Sequence, residues 1–253
     1  MYEIDDETDD EMYEVDDETD DEMNYDDHEI LKKRVCELLI LRGANLNPDS
    51  TGLFDTPLAM ALCLKWHDIF ELMLSKGARV NPSDPSCLTA GNILIAASNS
   101  VSMTKRILDM GVDANAPGVF VKPFGAAHLP ATGFANALQA AAFRHNRGVV
   151  ELLLRRNADL RITGPPYGSA LYAVVGRIGS DEYVSNSYML RAQKICEILL
   201  AKGAKWSIKH LPEDEELRDK CLLGYWALLE WQKANTPVSA WFELRNARLV
   251  IRD

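Results

Sequence analysis

The chain has 253 residues, 47% hydrophobic and 26% charged, with a formal net charge of −11. This composition supports a globular core, and no apolar run approaches the ~18 residues of a membrane span. The charge is uneven: residues 1–27 hold 16 Asp and Glu and no Lys or Arg, leaving 22 acids against 27 bases, +5, for the rest. That balance is too weak and too dispersed for a nucleic-acid footprint.

The N-terminal stretch is a duplication. YEIDDETDDEM (2–12) returns as YEVDDETDDEM (13–23) with Ile4 replaced by Val15. Each copy has few apolar residues among carboxylates that repel one another, so residues 1–27 are expected to form a disordered acidic tail. A calcium loop of the EF-hand type is excluded, because it needs a Gly at its turn and this stretch has none. Thr8 and Thr19, each followed by Asp-Asp-Glu, suit an acid-directed kinase.

From His28 onward, apolar residues recur at helical spacing and stop at a repeated signal. The stops read LLILRGANLN (38–47), LMLSKGARVN (72–81), RILDMGVDAN (106–115), LLLRRNADLR (152–161) and ILLAKGAKWS (198–207). The marker falls at Gly43, Gly77, Gly111, Asn157 and Gly203, with spacings of 34, 34, 46 and 46. Gly, or Asn in its place, ends a helix by adopting positive φ. A second helix opens thirteen residues past Gly43 with Thr56-Pro57-Leu58-Ala59-Met60-Ala61. Thr is a good N-cap and Pro fits the first helical position. Later units open with Asn92-Ile93-Leu94, Asn136-Ala137-Leu138-Gln139-Ala140-Ala141 and Ser169-Ala170-Leu171.

The pattern of helix, turn, helix, Gly stop and loop resembles the ankyrin repeat, with T-P-L-A-M-A matching its T-P-L-H-x-A signature apart from Ala59. N-A-L-Q-A-A is similar to a form common in fungal ankyrin proteins. The resemblance covers about residues 29–210 and implies an all-α solenoid of four to five helix-turn-helix units with hairpin-like loops. Three departures stand out. The chain enters at a second helix, HEILKKRVCELLILRG, with no first helix before it. The loop from Asn115 to Asn136 is long, and one unit carries its excess between its helices, RIGSDEYVSNSYMLRAQ. The third unit lacks T-P and is short by one residue at Ser98 to Val101. The expected organisation is an acidic tail (1–27), ankyrin repeats (28–210), a C-terminal capping helix region (211–236) that Gly224 is able to split, and a C-terminal tail (237–253).

Enzymatic constellations are not found. The five histidines show no zinc spacing, and the sequence has no H-E-x-x-H, P-loop, G-x-S-x-G or G-x-G-x-x-G. His67 and His145 read as structural. The five cysteines, Cys36, Cys63, Cys87, Cys196 and Cys221, are odd in number and widely spaced, as in a reducing compartment. With an N-terminus too acidic for a secretory signal, cytoplasm or nucleus is expected. No catalysis, cofactor, metal, small-molecule substrate, nucleic acid or membrane contact is expected.

The resemblance implies protein binding through a concave face made of loop tips and late first-helix positions. Carried onto this chain, those are Leu53 and Asp55, Cys63 and Leu64, Ser98 and Asn99, Phe143 and Arg144, and Gly176 and Arg177. Phe143-Arg144 is expected as an exposed anchor. Phe120 and Phe124 in the long loop are expected to add a partner-specific contact. Arg144, Arg147, Arg155, Arg156 and Arg161 read as a basic region with no acid to balance Arg155-Arg156, and the acidic tail is expected to compete for it. The alternative reading is a fragment or targeting part of a larger multidomain protein. An apolar face left bare on the helix at His28 to Arg42 would imply a lost repeat or an oligomer.

Overall fold

The computed structural model describes residues 25–48, 56–80, 89–118, 133–180 and 185–235. Their helices are α1 (Tyr25–Leu41), α2 (Pro57–Cys63), α3 (His67–Ser75), α4 (Thr89–Ala97), α5 (Val101–Asp109), α6 (Ala137–Phe143), α7 (Arg147–Arg155), α8 (Ala170–Ile178), α9 (Asn186–Ala201) and α10 (Glu215–Asn235). Pairs α2–α3, α4–α5, α6–α7 and α8–α9 are the repeated units. First helices stack α2 on α4 on α6 on α8, while α1 packs on α3, and α5, α7 and α9 stack in turn. Two layers result, and the core lies between them.

The caps explain why each helix starts and stops where it does. Thr56, Asn136 and Ser169 accept from the backbone N–H three residues on, at Ala59, Gln139 and Tyr172. Gly43, Gly77, Gly111, Asn157 and Gly203 all have φ between 63° and 95°, the left-handed conformation that a helix stop requires. Between paired helices, Trp66 N–H donates to Ala61 O and Asn146 N–H to Ala141 O, with Lys65 and His145 at positive φ. The third unit turns more tightly. Ser100 N–H reaches back only three residues, to Ala97 O.

The loops are stapled across repeats by asparagine side chains. Asn47 accepts from Arg79 N–H (2.7 Å) and donates to Gly77 O (3.0 Å). Asn115 repeats the arrangement two units later with Asp159 N–H (2.7 Å) and Asn157 O (3.1 Å). Each amide satisfies one donor and one acceptor that the helix stop leaves over. Buried Gln139 makes a similar link, accepting from Ala135 N–H and donating to Gly164 O (2.9 Å).

The core is aliphatic where helices cross. Leu58, Leu62, Ile69, Phe70, Ile93, Leu94, Ile107, Val149, Leu153, Val174, Ile195 and Leu199 are all buried. Each such side chain stabilises by roughly 1.5–3 kcal/mol relative to exposure.

Four sequence expectations need correction. α4 starts at Thr89, so Asn92 lies inside the helix and is buried rather than opening it. The excess in the last unit is partly helical: α9 has 16 residues where α3, α5 and α7 have 9. The helix from Tyr25 runs into the segment read as tail. Gly224 does not split α10, which is continuous. A Cβ there would stand 1.8 Å from Val175 O, so Gly224 is the point where α10 closes on α8. Cys221, Tyr225 and Leu228 fill that contact, and Tyr172, Trp206 and Tyr225 meet edge to face at 5.2 and 5.1 Å.

Residues 1–24, the loop positions Leu53, Asp55, Phe120 and Phe124, Cys87 and the segment 237–253 lie outside the described residues. No described helix is long and apolar enough to cross a membrane.

Candidate interaction face

The ends of α2, α4, α6 and α8 are brought side by side by the stacking of the first-helix layer. Along this row the structure places Cys63 and Leu64, then Ser98 and Asn99, then Phe143 and Arg144, then Arg177. Leu64 is exposed, Cys63, Asn99, Arg144 and Arg177 are partly buried, and Ser98 and Phe143 are buried.

Phe143 is therefore not an exposed anchor. Its ring centroid is 5.2 Å from Phe134 and 5.0 Å from Tyr167, two residues supplied by the loops on either side. The three rings form a stack inside the face, with arginines over it. The Arg144 guanidinium lies 5.3 Å from the Phe134 ring and that of Arg177 lies 5.2 Å from the Phe143 ring. Arg177 also donates from Nε to Tyr188 Oη (3.0 Å). Ser98, likewise buried, is a partner of Arg144 rather than a contact residue.

Arg144 is the electrostatic centre of the row. Its Nη1 donates to Ser98 Oγ (2.6 Å) and to Ile95 O (3.3 Å), a carbonyl near the end of α4 that also accepts from the Ser98 hydroxyl, so the cation sits at the negative end of that helix. Its Nε and Nη2 make no hydrogen bond to any described residue. No described carboxylate pairs with it. Burial pushes its pKa down to about 10, with Cys63 opposing, so it stays charged at neutral pH. Burial pushes the Cys63 thiol up to about 12, with Arg144 opposing, and burial puts Cys196 and Cys221 at about 12 as well. Thiols held protonated are poor nucleophiles.

The other arginines of the expected basic region are matched. Arg147 and Arg155 face Glu151, at 2.7 and 4.0 Å, and Arg161 pairs with Asp159 at 2.9 Å. Arg156 pairs with Asp109 of the preceding repeat at 2.5 Å, an acid that local sequence could not show. Arg106 and Glu71 make the same kind of cross-repeat contact at 2.6 Å. His145 is buried and donates from Nε2 to Val174 O (2.9 Å).

Sequence reasoning missed one concavity. A cleft of about 420 Å³ lies between the turn at Gly164–Gly168 and the approach to α10, lined by Pro165, Pro166, Lys209, His210, Asp214 and Leu217 among others. Among the described residues, no three His, Cys, Asp or Glu gather as metal ligands would.

Paired antiparallel helices with glycine stops, stacked in two layers by loop-to-loop amide staples, define a helical repeat solenoid. The chain is 28% identical over 199 residues to "Ankyrin repeat and SOCS box protein 6" of Homo sapiens, which is 76% of this chain and 45% of that protein. The protein of the same name from Pongo abelii gives the same figures. No family model matches. With the repeat and the fold, this similarity supports an ankyrin-repeat family for the chain. The chain spans less than half the length of the relatives it matches.

Proposed function

We propose that this chain is a non-catalytic interaction module that grips an acidic segment of a partner protein. The gripping surface is the first-helix row of Cys63, Leu64, Asn99, Arg144 and Arg177. The observation that carries this reading is Arg144. It is a partly buried cation held in place by Ser98 and Ile95, with the Nε–Nη2 edge of its guanidinium left over. That edge matches a carboxylate with two parallel hydrogen bonds. Leu64 supplies exposed apolar surface at one end of the row. Leu53 and Asp55 are proposed for the same surface through the resemblance alone, and Phe120 and Phe124 for an added partner contact through the length of their loop.

A second reading makes the chain the targeting part of a larger protein. Its support is that the chain matches only 45% of its relatives' length.

Affinity capture with the full chain, followed by mass spectrometry, tests the first reading. Proteins held by the wild type should be lost with Leu64→Glu and depleted with Arg144→Gln. Retention of the same set by both variants would overturn it.

A further inference from the structure

The first-helix face leaves α1 out. Helices α3, α5, α7 and α9 each rest on a first helix of their own, whereas α1 contacts α3 and has no such companion among the described residues. Its seated side is Glu29, Lys33, Cys36 and Ile40. Glu29 accepts from Trp66 Nε1 (3.1 Å), Lys33 lies 5.8 Å from the Trp66 ring, and Ile40 is buried. At 100° per residue, Leu31, Val35 and Leu38 fall on the opposite side, flanked by Ile30, Leu39 and Leu41. These six residues are 48–65% exposed.

We infer that this stripe is a self-association seam, and that two copies of the chain pair through α1 in antiparallel fashion about a two-fold axis near Val35. The spacing of Leu31, Val35 and Leu38, four residues and then three, is that of a helix–helix seam. A two-fold axis needs one self-complementary patch, which a stripe centred on Val35 provides. Complete cover of the six side chains, which span half the circumference of α1, would remove on the order of 600 Å² per copy, or about 1,200 Å² for the pair, the low end of specific interfaces.

Charge selects the direction. Residues 1–27 carry 16 acids and no base. A parallel pair would set two such segments side by side. An antiparallel pair sends them to opposite ends and brings each Arg42, on the same stripe, toward the acidic start of the other α1. The acidic segment itself is a poor alternative cover, because Ile4, Val15 and its few other apolar residues are separated by carboxylates.

Sedimentation velocity on the full chain tests the inference. In the micromolar range the wild type should sediment with twice the 28.3 kDa of one chain. The double variant Val35→Glu/Leu38→Glu should sediment as one copy with unchanged circular dichroism and melting, since neither side chain belongs to the core of the described residues. A wild type that is monomeric across that range would overturn it. So would a dimer that the double variant leaves intact. A monomer that loses a captured protein when Val35 and Leu38 are changed would also refute it and assign the stripe to another occupant. The Leu64 and Arg144 variants do not touch α1, so this outcome and that of the first-helix row are read separately.

Discussion

Arg156 at the end of α7 reaches back 47 residues to Asp109 at the end of α5, Nη2 to Oδ1 at 2.5 Å. Lys105 holds the other oxygen of the same carboxylate at 2.6 Å. The two cations, Lys105 foremost and then Arg156, hold Asp109 below the usual carboxylate range. A carboxyl whose folded pKa is depressed contributes stability that is present above its unfolded value and is lost as the pH falls through the folded value. At neutral pH the contribution is therefore complete, and it fades only in acid below the ordinary Asp range. A carbon-detected NMR titration should find Asp109 titrating lower than an ordinary Asp. Lys105→Gln should raise it more than Arg156→Gln does. The pair is exposed, so added salt should move the titration upward.

Asn115 stands at the same place in its loop as Asn47, and both tie one helix stop to the next. Asn115→Ala would leave Asp159 N–H and Asn157 O without the partner that now satisfies both. A loss of about 1–3 kcal/mol in urea unfolding is expected. Asn115→Asp keeps the acceptor but not the donor and should lie between the two.

The helix stops separate conformation from packing. Gly77 has φ 92°, and among the described residues nothing beyond its chain neighbours lies within 4 Å of where a Cβ would be. Gly77→Ala should therefore cost about 1–2 kcal/mol through backbone conformation alone. At Asn157, φ 63°, the reverse change Asn157→Gly should be neutral or slightly stabilising. Opposite signs at the two sites in thermal melts would support the assignment of one role to both.

At Gly224 the constraint is space. A Cβ would meet Val175 O at 1.8 Å, and that oxygen belongs to a helix backbone that cannot swing aside. Gly224→Ala should push α10 off α8 and cost at least about 2 kcal/mol. Near-ultraviolet circular dichroism should report it, because Tyr172, Trp206 and Tyr225 lose their mutual contact.

What the sequence made legible is local. Thr56, Asn136 and Ser169 mark helix starts because a cap acts within three residues, and Gly77 or Asn157 marks a stop because positive φ is a single-residue property. The start of α4 escaped, since no side chain of that kind stands before Thr89 in the way Thr56 stands before Pro57. What stayed hidden depends on the next repeat. Asp109 pairs with Arg156 from 47 positions away, so Arg155-Arg156 looked unbalanced when Arg156 has its acid in the preceding repeat. Phe143 looked exposed from its helix position, yet Phe134 and Tyr167 enclose it from loops that carry no periodic signal. The special place of Arg144 follows from that enclosure, because its guanidinium lies over the same ring stack and beside Ser98.

The most direct test of the first-helix row is a set of binding isotherms for one captured partner against wild type, Leu64→Glu, Arg144→Lys and Lys105→Glu. Lys105 lies on the second-helix layer and serves as the control. A loss of about tenfold or more is expected for Leu64→Glu and for Arg144→Lys, which keeps the charge but not the two-pronged edge. No change is expected for Lys105→Glu. Equal weakening by all three, or full affinity in Leu64→Glu and Arg144→Lys, would contradict the proposal.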